Sequence, residues 1–441
     1  MITKDRVGII LKLALPLTVG LASSFIMVFV DLAMVGILGI EALAAIGLAG
    51  FSYTLILAFV IGVAPAVQGI VSRREGEESE EPKCLPLNAG LLLVLMIGIP
   101  LTILCYFLTP SYFAIISSDP EVTKEGIPYL KVLFLSIVAV GIGEAFHGYW
   151  VGISKTKVYM LNILFMNCLN VFFNYVLIFG NFGVPALGTL GAGIGSTLSV
   201  YIGALVYFIV TFRYFRAEGF LSIKPAKELV VRIFNIGLPE SIREALFSLG
   251  YVVFYWIVGT MGTLELAAAN VLIRVALVMS LFPLALGIAS ATLVSGALGK
   301  GDISAANEWG WDSGKVGIVW ITILGLPLFL FPEWFLSLFL TDPNAVSIAT
   351  VPLQITGALT GVTSLIFIFA YTLVSLGDGK RVLIVSLTTQ WMFFLPAVWV
   401  IGPYLNYGLL EIWLVQTVYA LIATVLMTAL WCDGRWKGIK L

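Results

Sequence analysis

Residues 31–47 read DLAMVGILGIEALAAIG, and residues 254–270 read FYWIVGTMGTLELAAAN. The two stretches share two glycines three positions apart and the triplet Leu-Ala-Ala, each at an offset of 223 positions. Further pairs at the same offset are Leu15-Pro16 with Leu238-Pro239, and Asp119-Pro120 with Asp342-Pro343. An offset shared over about a hundred residues predicts that each half of the chain contains one copy of the same structural unit.

The composition of the chain is that of a membrane protein. Of its 441 residues, 60% are hydrophobic and 11% are charged, whereas a soluble domain has about 25% charged residues. Apolar runs of about 20 residues, long enough to span a bilayer, recur between charged clusters, and twelve of them fit. Their unbroken character excludes an outer-membrane barrel, so we predict an all-α membrane protein. The net charge of -1 gives no basic field for nucleic acid.

Twelve transmembrane helices divide evenly between the two copies. We predict them at residues 13–37, 43–71, 86–109, 127–152, 158–180, 188–212, 233–259, 266–298, 314–340, 351–376, 382–402 and 408–431. Because six is even, the two halves have the same orientation and are related by a pseudo-two-fold axis along the membrane normal. The predicted domains are an N-terminal lobe at 1–212, a cytoplasmic linker at 213–232 and a C-terminal lobe at 233–441.

The basic residues predict the orientation. Of the 24 Lys and Arg residues, 20 lie before helix 1 or in the loops after the even-numbered helices. The positive-inside rule therefore places both termini in the cytoplasm. The four cysteines are far apart and form no metal-binding or redox spacing, so we expect neither a metal nor a cofactor.

Several motifs resemble those of the multidrug and toxic compound extrusion (MATE) family. Residues 30–36 and 41–47 look like the family signature of helices 1 and 2, residues 170–192 resemble its helix 5 to 6 pattern, and residues 375–380 resemble the turn after its helix 10. The DinF-like branch is the best fit. The resemblance implies two six-helix lobes that export bulky, mostly cationic or amphipathic xenobiotics in exchange for protons or sodium ions. It also implies a monomer in the bacterial inner membrane.

Asp31 is the strongest candidate for the coupling residue. Between Lys12 and Glu41 it is the only ionisable side chain. A carboxylate inside a membrane helix costs about 2.5–3.5 kcal/mol on insertion scales, and such residues usually face a cavity and have a function. Because an apolar environment disfavours the charged form of a carboxyl group, proton binding can move into the physiological range. We therefore predict that Asp31 binds the proton, although a purely structural role in capping or bridging helices remains open.

Helix 5 places three amides on one face, because Asn167, Asn170 and Asn174 are spaced by three and four residues. The alternative to a functional role is ordinary hydrogen bonding between helices, which contributes about 0.6 kcal/mol on average. The resemblance favours a role in the substrate cavity for Asn170 and Asn174. Many relatives carry an aspartate at the position of Asn174, so this chain lacks a second carboxylate, and a sodium site built from two carboxylates becomes doubtful.

Four further residues complete the predicted site. The resemblance assigns Tyr129 and Ser196 to the cavity and makes Pro16 the bending position of helix 1. Pro16 lacks a backbone N–H and should interrupt that helix. His147, three residues after Glu144, is either an auxiliary proton or hydrogen-bonding group or a packing residue.

The C-terminal half lacks the same polar residues. Positions 31 and 170 correspond to Phe254 and Phe393, and the charged residues of helix 7, Glu240, Arg243 and Glu244, are expected to neutralise one another. An aromatic and methionine-rich set could line a pocket for lipophilic cations there, or could simply pack between helices. Its members are Tyr251, Tyr255, Trp256, Met279, Phe282, Trp391 and Met392.

Three alternatives to proton-coupled drug export are open at this point. Sodium-coupled drug antiport is one. A lipid-linked oligosaccharide flippase of the same superfamily is another, but it needs a strongly cationic cavity, and the membrane interior is nearly free of Lys and Arg apart from Arg243 and Arg274. A membrane-embedded enzyme is disfavoured by the single histidine and by the lack of paired intramembrane acids. No phosphate-binding loop of an ATP-driven pump is present in the sequence.

Overall fold

The computed structural model describes residues 3–77 and 82–440, and within these ranges the chain is helical, without β-strands. The helices of the first half are α1 (Lys4–Gly36), α2 (Ile40–Ile61), α3 (Val63–Gly76), α4 (Leu85–Ile116), α5 (Pro120–Leu135), α6 (Ile137–Gly152), α7 (Thr156–Phe179) and α8 (Gly188–Phe215). Those of the second half are α9 (Lys227–Gly259), α10 (Thr263–Gly299), α11 (Ile303–Leu330), α12 (Pro332–Ser337), α13 (Pro343–Leu373), α14 (Gly379–Leu387), α15 (Leu395–Trp399) and α16 (Leu409–Cys432). The predicted all-α class is confirmed.

The described helices supply ten to eleven candidate membrane spans by length and apolarity. Ten continuous helical stretches are long and apolar enough to cross a bilayer, and α5 with α6, which meet at a bend of 40°, make an eleventh if they cross together. The longest stretch, Pro343–Tyr404, has 62 residues, far more than one span needs. Gly377 divides it between α13 and α14, because its backbone is left-handed with a φ of 88°. Glycine adopts this conformation without the steric penalty that a Cβ brings.

The contacts between residues divide the chain into two compact units. One unit comprises Val19–Ser241, and the other contains the residues up to Thr18 together with those from Ile242 onward. These boundaries differ from the predicted ones at 212 and 233, because the beginnings of α1 and α9 each pack with the opposite half. The two boundaries are themselves 223 positions apart, so they follow the repeat.

Each boundary lies shortly after a proline, Pro16 in α1 or Pro239 in α9. The structure corrects the expectation that Pro16 interrupts its helix, because α1 continues from Lys4 to Gly36. A proline removes one hydrogen bond of the helical ladder without necessarily ending a helix whose surroundings hold it. Pro16 remains our candidate for the hinge.

The start of α1 is held by charged side chains of α11. Arg6 forms ion pairs with Glu308 and, at 3.0 Å, with Asp312. Its guanidinium also lies 4.1 Å from the ring centroid of Trp309. Lys315 is 3.5 Å from the same Asp312. This cluster explains why the first residues of α1 belong with the second half of the chain.

Two glycines bring the backbones of α11 and α13 into direct contact. A Cβ atom on Gly325 would lie 2.4 Å from the carbonyl oxygen of Gly357, and one on Gly357 would lie 2.7 Å from that of Gly325. Both distances are shorter than any normal carbon–oxygen contact. These helices can therefore pack this closely only with glycine at both positions.

We expect Gly357→Ala to destabilise the protein by about 1–3 kcal/mol, the usual penalty of overpacking a tight interface. The thermal unfolding midpoint of the purified protein measures the effect. Gly143→Ala in α6 is the matched control, because nothing lies within 4 Å of the added methyl group; it should leave the midpoint unchanged or raise it, since alanine favours helix. Equal midpoints for the two variants would contradict the proposed backbone contact.

Candidate functional site

A chain of polar side chains links α1, α7 and α8 within the unit Val19–Ser241. The Nδ2 atom of Asn174 donates to Oδ1 of Asp31 at 2.7 Å and to Oδ1 of Asn170 at 3.0 Å. Asn170 in turn donates from its Nδ2 to Oγ of Ser196, also at 3.0 Å. We call these four residues the polar chain. The structure thus brings together four of the six residues that the sequence predicted for coupling and substrate binding.

The polar chain lies among apolar helices, and its central members are buried. Asn174 is 0% exposed and Asn170 is 6% exposed, whereas Asp31 is half-buried. Asn174 packs against the backbone of α8 at Gly195, where a Cβ atom would lie 2.3 Å from Asn174 Oδ1. That Oδ1 atom has no hydrogen-bond partner among the described residues. An unpaired acceptor in an apolar interior is costly, which is typical of a site that changes its bonding during function.

A second hydrogen bond joins α7 to α1. Asn167, one of the three predicted amides, donates from its Nδ2 to Oγ of Ser23 at 2.7 Å. The sequence analysis did not single out Ser23. The spacing in the sequence could have indicated it, because Ser23 precedes Asp31 by about two helical turns and Asn167 precedes Asn174 by about the same distance, so the two pairs can face each other. Two polar ties therefore hold α7 against the same part of α1.

Tyr129 and His147 lie outside the polar chain. Tyr129 on α5 is 9% exposed and belongs to a hydrophobic cluster with Phe113 and Leu130, and the described hydrogen bonds do not connect it to Asp31. Tyr53, which packs against this cluster, forms a 2.6 Å hydrogen bond between its hydroxyl and that of Ser136, a contact that the sequence did not predict.

His147 contacts a different segment of α1. Its Nδ1 atom is 3.2 Å from Oε2 of Glu144, and its ring stacks on that of Tyr159 with centroids 4.2 Å apart. Tyr159 in turn lies beneath Gly20 of α1, where a Cβ atom would be 2.8 Å from the tyrosine ring. The histidine thus reaches α1 through Tyr159, eleven residues before Asp31. Its role as an auxiliary proton group stays a prediction.

The second half has an aromatic stack at the equivalent place. Phe254, the counterpart of Asp31, stacks on Phe394 with centroids 5.5 Å apart and planes 19° apart. Gln390, the counterpart of Asn167, donates to the carbonyl oxygen of Phe247 at 3.1 Å. The repeat therefore preserves an amide tie between equivalent helices but replaces the acid with an aromatic ring.

Part of the predicted aromatic and methionine-rich set lines a cavity. Tyr251 and Met279 contribute to a cavity of about 370 Å³ within the second half of the chain. The other five members of the set are not among its lining residues, and Trp256 and Met392 are exposed on the protein surface. Apolar side chains that face lipid are indistinguishable by composition from those that face a cavity, which is why the sequence overestimated the set.

A sequence profile of the MatE family matches residues 16–176 and again residues 239–400. The two matches begin 223 positions apart, which is the offset of the internal repeat. The chain belongs to the MatE family. The resemblance noted in the sequence is thereby confirmed, and the two matches cover both halves of this MatE protein.

Two NorM relatives align with most of the MatE chain. The probable multidrug resistance protein NorM of Thermotoga maritima is 24% identical over 440 residues, which are 97% of this chain and 92% of that protein. The multidrug resistance protein NorM of Burkholderia vietnamiensis is 27% identical over 355 residues, with 78% and 74% covered.

Solved structures share the fold at low identity. An outward-facing multidrug resistance MATE family transporter of the MOP superfamily has a TM-score of 0.88 at 19% identity, covering 98% of this chain and 96% of that one. A MOP superfamily transporter from Pyrococcus furiosus has a TM-score of 0.87 at 19% identity, covering 96% and 95%. Membership of this family makes the MatE chain a multi-pass membrane transporter of small molecules and not an enzyme, as the sequence predicted.

Proposed function

We propose that this MatE protein is a secondary active multidrug antiporter, which exports cationic or amphipathic compounds in exchange for protons. The observation that carries the proposal is the 2.7 Å hydrogen bond between Asp31 and Asn174, an acid tied to a buried amide inside apolar helices. The names of the NorM relatives support multidrug resistance as the outcome of export.

The composition of the polar chain favours the proton over the sodium ion. Asn174 presents its N–H groups, not its oxygen, to the carboxylate of Asp31. A hard cation needs several oxygen ligands around it, and no cluster of three or more acidic or other metal-binding side chains exists among the described residues. A single carboxylate can bind and release a proton without any further ligand.

The proposed exchange depends on the charge of Asp31. The ionised carboxylate attracts a cationic substrate and accepts the hydrogen bond from Asn174. Protonation removes that charge, which weakens the hold on the substrate and changes the tie between α1 and α7. Because Pro16 deprives α1 of one backbone hydrogen bond, the helix can bend in response. Asn170 and Ser196 contribute further polar groups for binding the substrate. Tyr129 stays a candidate substrate-binding residue, and His147 a candidate auxiliary proton or hydrogen-bonding group.

Membrane placement is part of the same proposal. The distribution of basic residues supports cytoplasmic termini, and we place the protein in the bacterial inner membrane as a monomer. We also retain the DinF-like branch and the lobes at 1–212 and 233–441 as proposals.

Sodium-coupled antiport and lipid-linked oligosaccharide flipping are the alternative functions. The acid in the polar chain argues against oligosaccharide flipping, because the pyrophosphate group of such a lipid needs cationic partners.

Purified protein in liposomes tests the coupling ion directly. We expect efflux of the cationic dye ethidium when a pH gradient is imposed at equal sodium concentrations, because Asp31 then exchanges a proton for the dye. A protonophore should abolish this efflux, and a sodium gradient at equal pH should drive none. Transport that follows the sodium gradient and ignores the pH gradient would overturn proton coupling.

A further inference from the structure

One turn of the connection between α8 and α9 is fixed to α4 by a single asparagine. Asn88 donates from its Nδ2 to the carbonyl oxygens of Gly219 and Ile223, at 2.9 and 3.0 Å, and its Oδ1 accepts from the N–H of Leu221 at 3.1 Å. We call residues 219–223 the linker turn. Three backbone groups of the turn depend on this one amide, which is 5% exposed and therefore holds the turn in place.

The linker turn lies level with the ends of membrane helices. Asn88 is only about 5 Å along the axis of α4 from its first residue, Leu85. Phe220 is buried, and its ring packs on those of Phe146 in α6 and Phe208 in α8, with centroids 6.0 and 5.3 Å apart. Because α4 and α8 are both long and apolar enough to cross a bilayer, the turn lies at a membrane surface and does not project far from it.

Leu221 has an unfavourable backbone conformation in this turn. Its φ of 56° lies in the left-handed region, which a residue with a Cβ atom rarely adopts. Burial offsets little of this cost, because the side chain is 51% exposed, and that of Ile223 is 42% exposed. Backbone strain that the surrounding structure maintains is concentrated at functional sites. Two exposed apolar side chains on a fixed turn are suited to insertion into a bilayer.

Exposed basic side chains flank the linker turn on both sides in the chain. They are Arg213, Arg216, Lys224 and Lys227. None of these four basic residues forms an ion pair with an acidic residue within 3–77 and 82–440. The acids of the same segment are Glu218, whose Oε2 atom is buried, and the exposed Glu228. Residues 213–228 thus carry a net charge of +2.

We propose that the linker turn and the four basic residues form a binding site for an anionic phospholipid. The basic side chains pair with the phosphate headgroup, and Leu221 and Ile223 insert among the acyl chains. Basic residues combined with exposed apolar side chains bind anionic membrane interfaces in this way. A lipid is favoured over an acidic protein as the partner, because the turn lies at the depth where lipid headgroups surround the helices.

This site is separate from the polar chain. The inference rests on the proposed membrane placement only for the choice of leaflet, since cytoplasmic termini put the linker turn at the inner leaflet. Lipid binding needs neither an ion gradient nor an exported compound. If liposomes show no export while the lipid preference is found, the proposed function fails and the lipid site stands. Export without the lipid preference gives the reverse result.

Native mass spectrometry of the purified full-length protein measures the affinity for single lipid molecules. The protein in detergent is titrated with phosphatidylglycerol and, separately, with phosphatidylcholine of the same acyl chains. We expect the first phosphatidylglycerol to bind about tenfold more tightly, because its headgroup carries a net negative charge and each basic residue near an anionic surface contributes about fivefold. Arg216→Gln/Lys224→Gln should reduce this preference to about twofold or less.

Lys300→Gln/Lys380→Gln is the matched control. It also removes two exposed basic residues, and from loops that the sequence predicts on the same side of the membrane, but neither loop is part of the linker. The control should keep the wild-type preference. Equal affinities for the two lipids in the wild type would overturn the proposal, as would an equal loss of preference in both double variants.

Leu221→Asn separates lipid binding from a structural role of the turn. Asparagine adopts a positive φ more readily than leucine does, so the variant should unfold in detergent at the same temperature as the wild type or higher. It lacks the apolar side chain, so its affinity for phosphatidylglycerol should fall about fivefold. An unchanged lipid affinity would contradict insertion of Leu221.

Soluble glycerol phosphate distinguishes a lipid from a free anion. It carries the phosphate without acyl chains, so at the same concentration it should not displace phosphatidylglycerol from the wild-type protein. Complete displacement would show that the basic residues bind a free phosphate group, and the proposed lipid site would be wrong.

Discussion

Asp31→Asn is expected to abolish export of cationic compounds while leaving the protein folded and inserted. Asparagine has the shape of aspartate, and its side-chain oxygen can still accept the hydrogen bond that Asn174 donates at 2.7 Å. It cannot carry a charge or release a proton, so both substrate attraction and coupling are lost. Efflux of ethidium from liposomes should fall to the level of liposomes without protein, and drug resistance of expressing cells should fall with it.

Glu41→Gln provides the matched control for Asp31→Asn. Glu41 lies in the first turn of α2 and is exposed, so removal of its charge should leave efflux unchanged. Equal amounts of each variant in the membrane fraction establish that both proteins insert. Efflux at the wild-type rate in the Asp31→Asn protein would mean that coupling resides elsewhere, and the proposed role of the polar chain would be wrong.

Asn174→Ala should reduce export far more than Asn167→Ala, although both amides tie α7 to α1. Asn174 donates to the acid, and a hydrogen bond to a charged group contributes about 1.5–3 kcal/mol, or roughly ten- to a hundredfold in a rate or affinity. Asn167 donates to the neutral hydroxyl of Ser23, and such bonds between membrane helices average about 0.6 kcal/mol. Initial rates of dye efflux at fixed protein density measure the difference.

Ser23→Ala removes the acceptor of the hydrogen bond that Asn167 donates, and so tests the same comparison from α1. It should match Asn167→Ala, because each variant removes one partner of the same hydrogen bond. If Asn167→Ala impairs efflux as severely as Asn174→Ala, both hydrogen bonds between α7 and α1 would act only by packing the helices together. The proposal that the bond to Asp31 has a distinct role in coupling would then be refuted.

Much of the fold could be predicted because the bilayer constrains it so strongly. An apolar run of sufficient length has to span as a helix, and the offset of 223 positions fixes how the spans pair. Less could be predicted about helix ends. The structure begins α1 at Lys4, nine residues before the predicted start at residue 13, because charged residues such as Arg6 find partners on α11 that no local pattern reveals.

The candidate site was predictable only in part, for a similar reason. Asp31, Asn170 and Asn174 stand out because polar side chains are costly in an apolar helix. Which of them meet depends on close approach between helices, and that depends on residues such as Gly195, whose missing side chain carries no chemical signal in the sequence. Tyr129 and His147 have the same polar character, yet Tyr129 packs in a hydrophobic cluster and His147 stacks on Tyr159, and the described hydrogen bonds join neither of them to Asp31.

The hydrogen bonds of the polar chain all run outward from Asn174, whose Oδ1 atom has no partner among the described residues. Asn174 donates to Asp31 and to Asn170, and Asn170 donates to Ser196, so Asp31 and Ser196 are the acceptors at the two ends. If Asp31 takes up a proton as proposed, its new hydroxyl becomes a donor. Rotation of the Asn174 amide would then turn its Oδ1 atom toward that hydroxyl, and rotation of the Asn170 amide would let Asn170 donate to Asn174 and accept from Ser196. Protonation on α1 would thereby reverse every hydrogen bond of the polar chain, as far as Ser196 on α8.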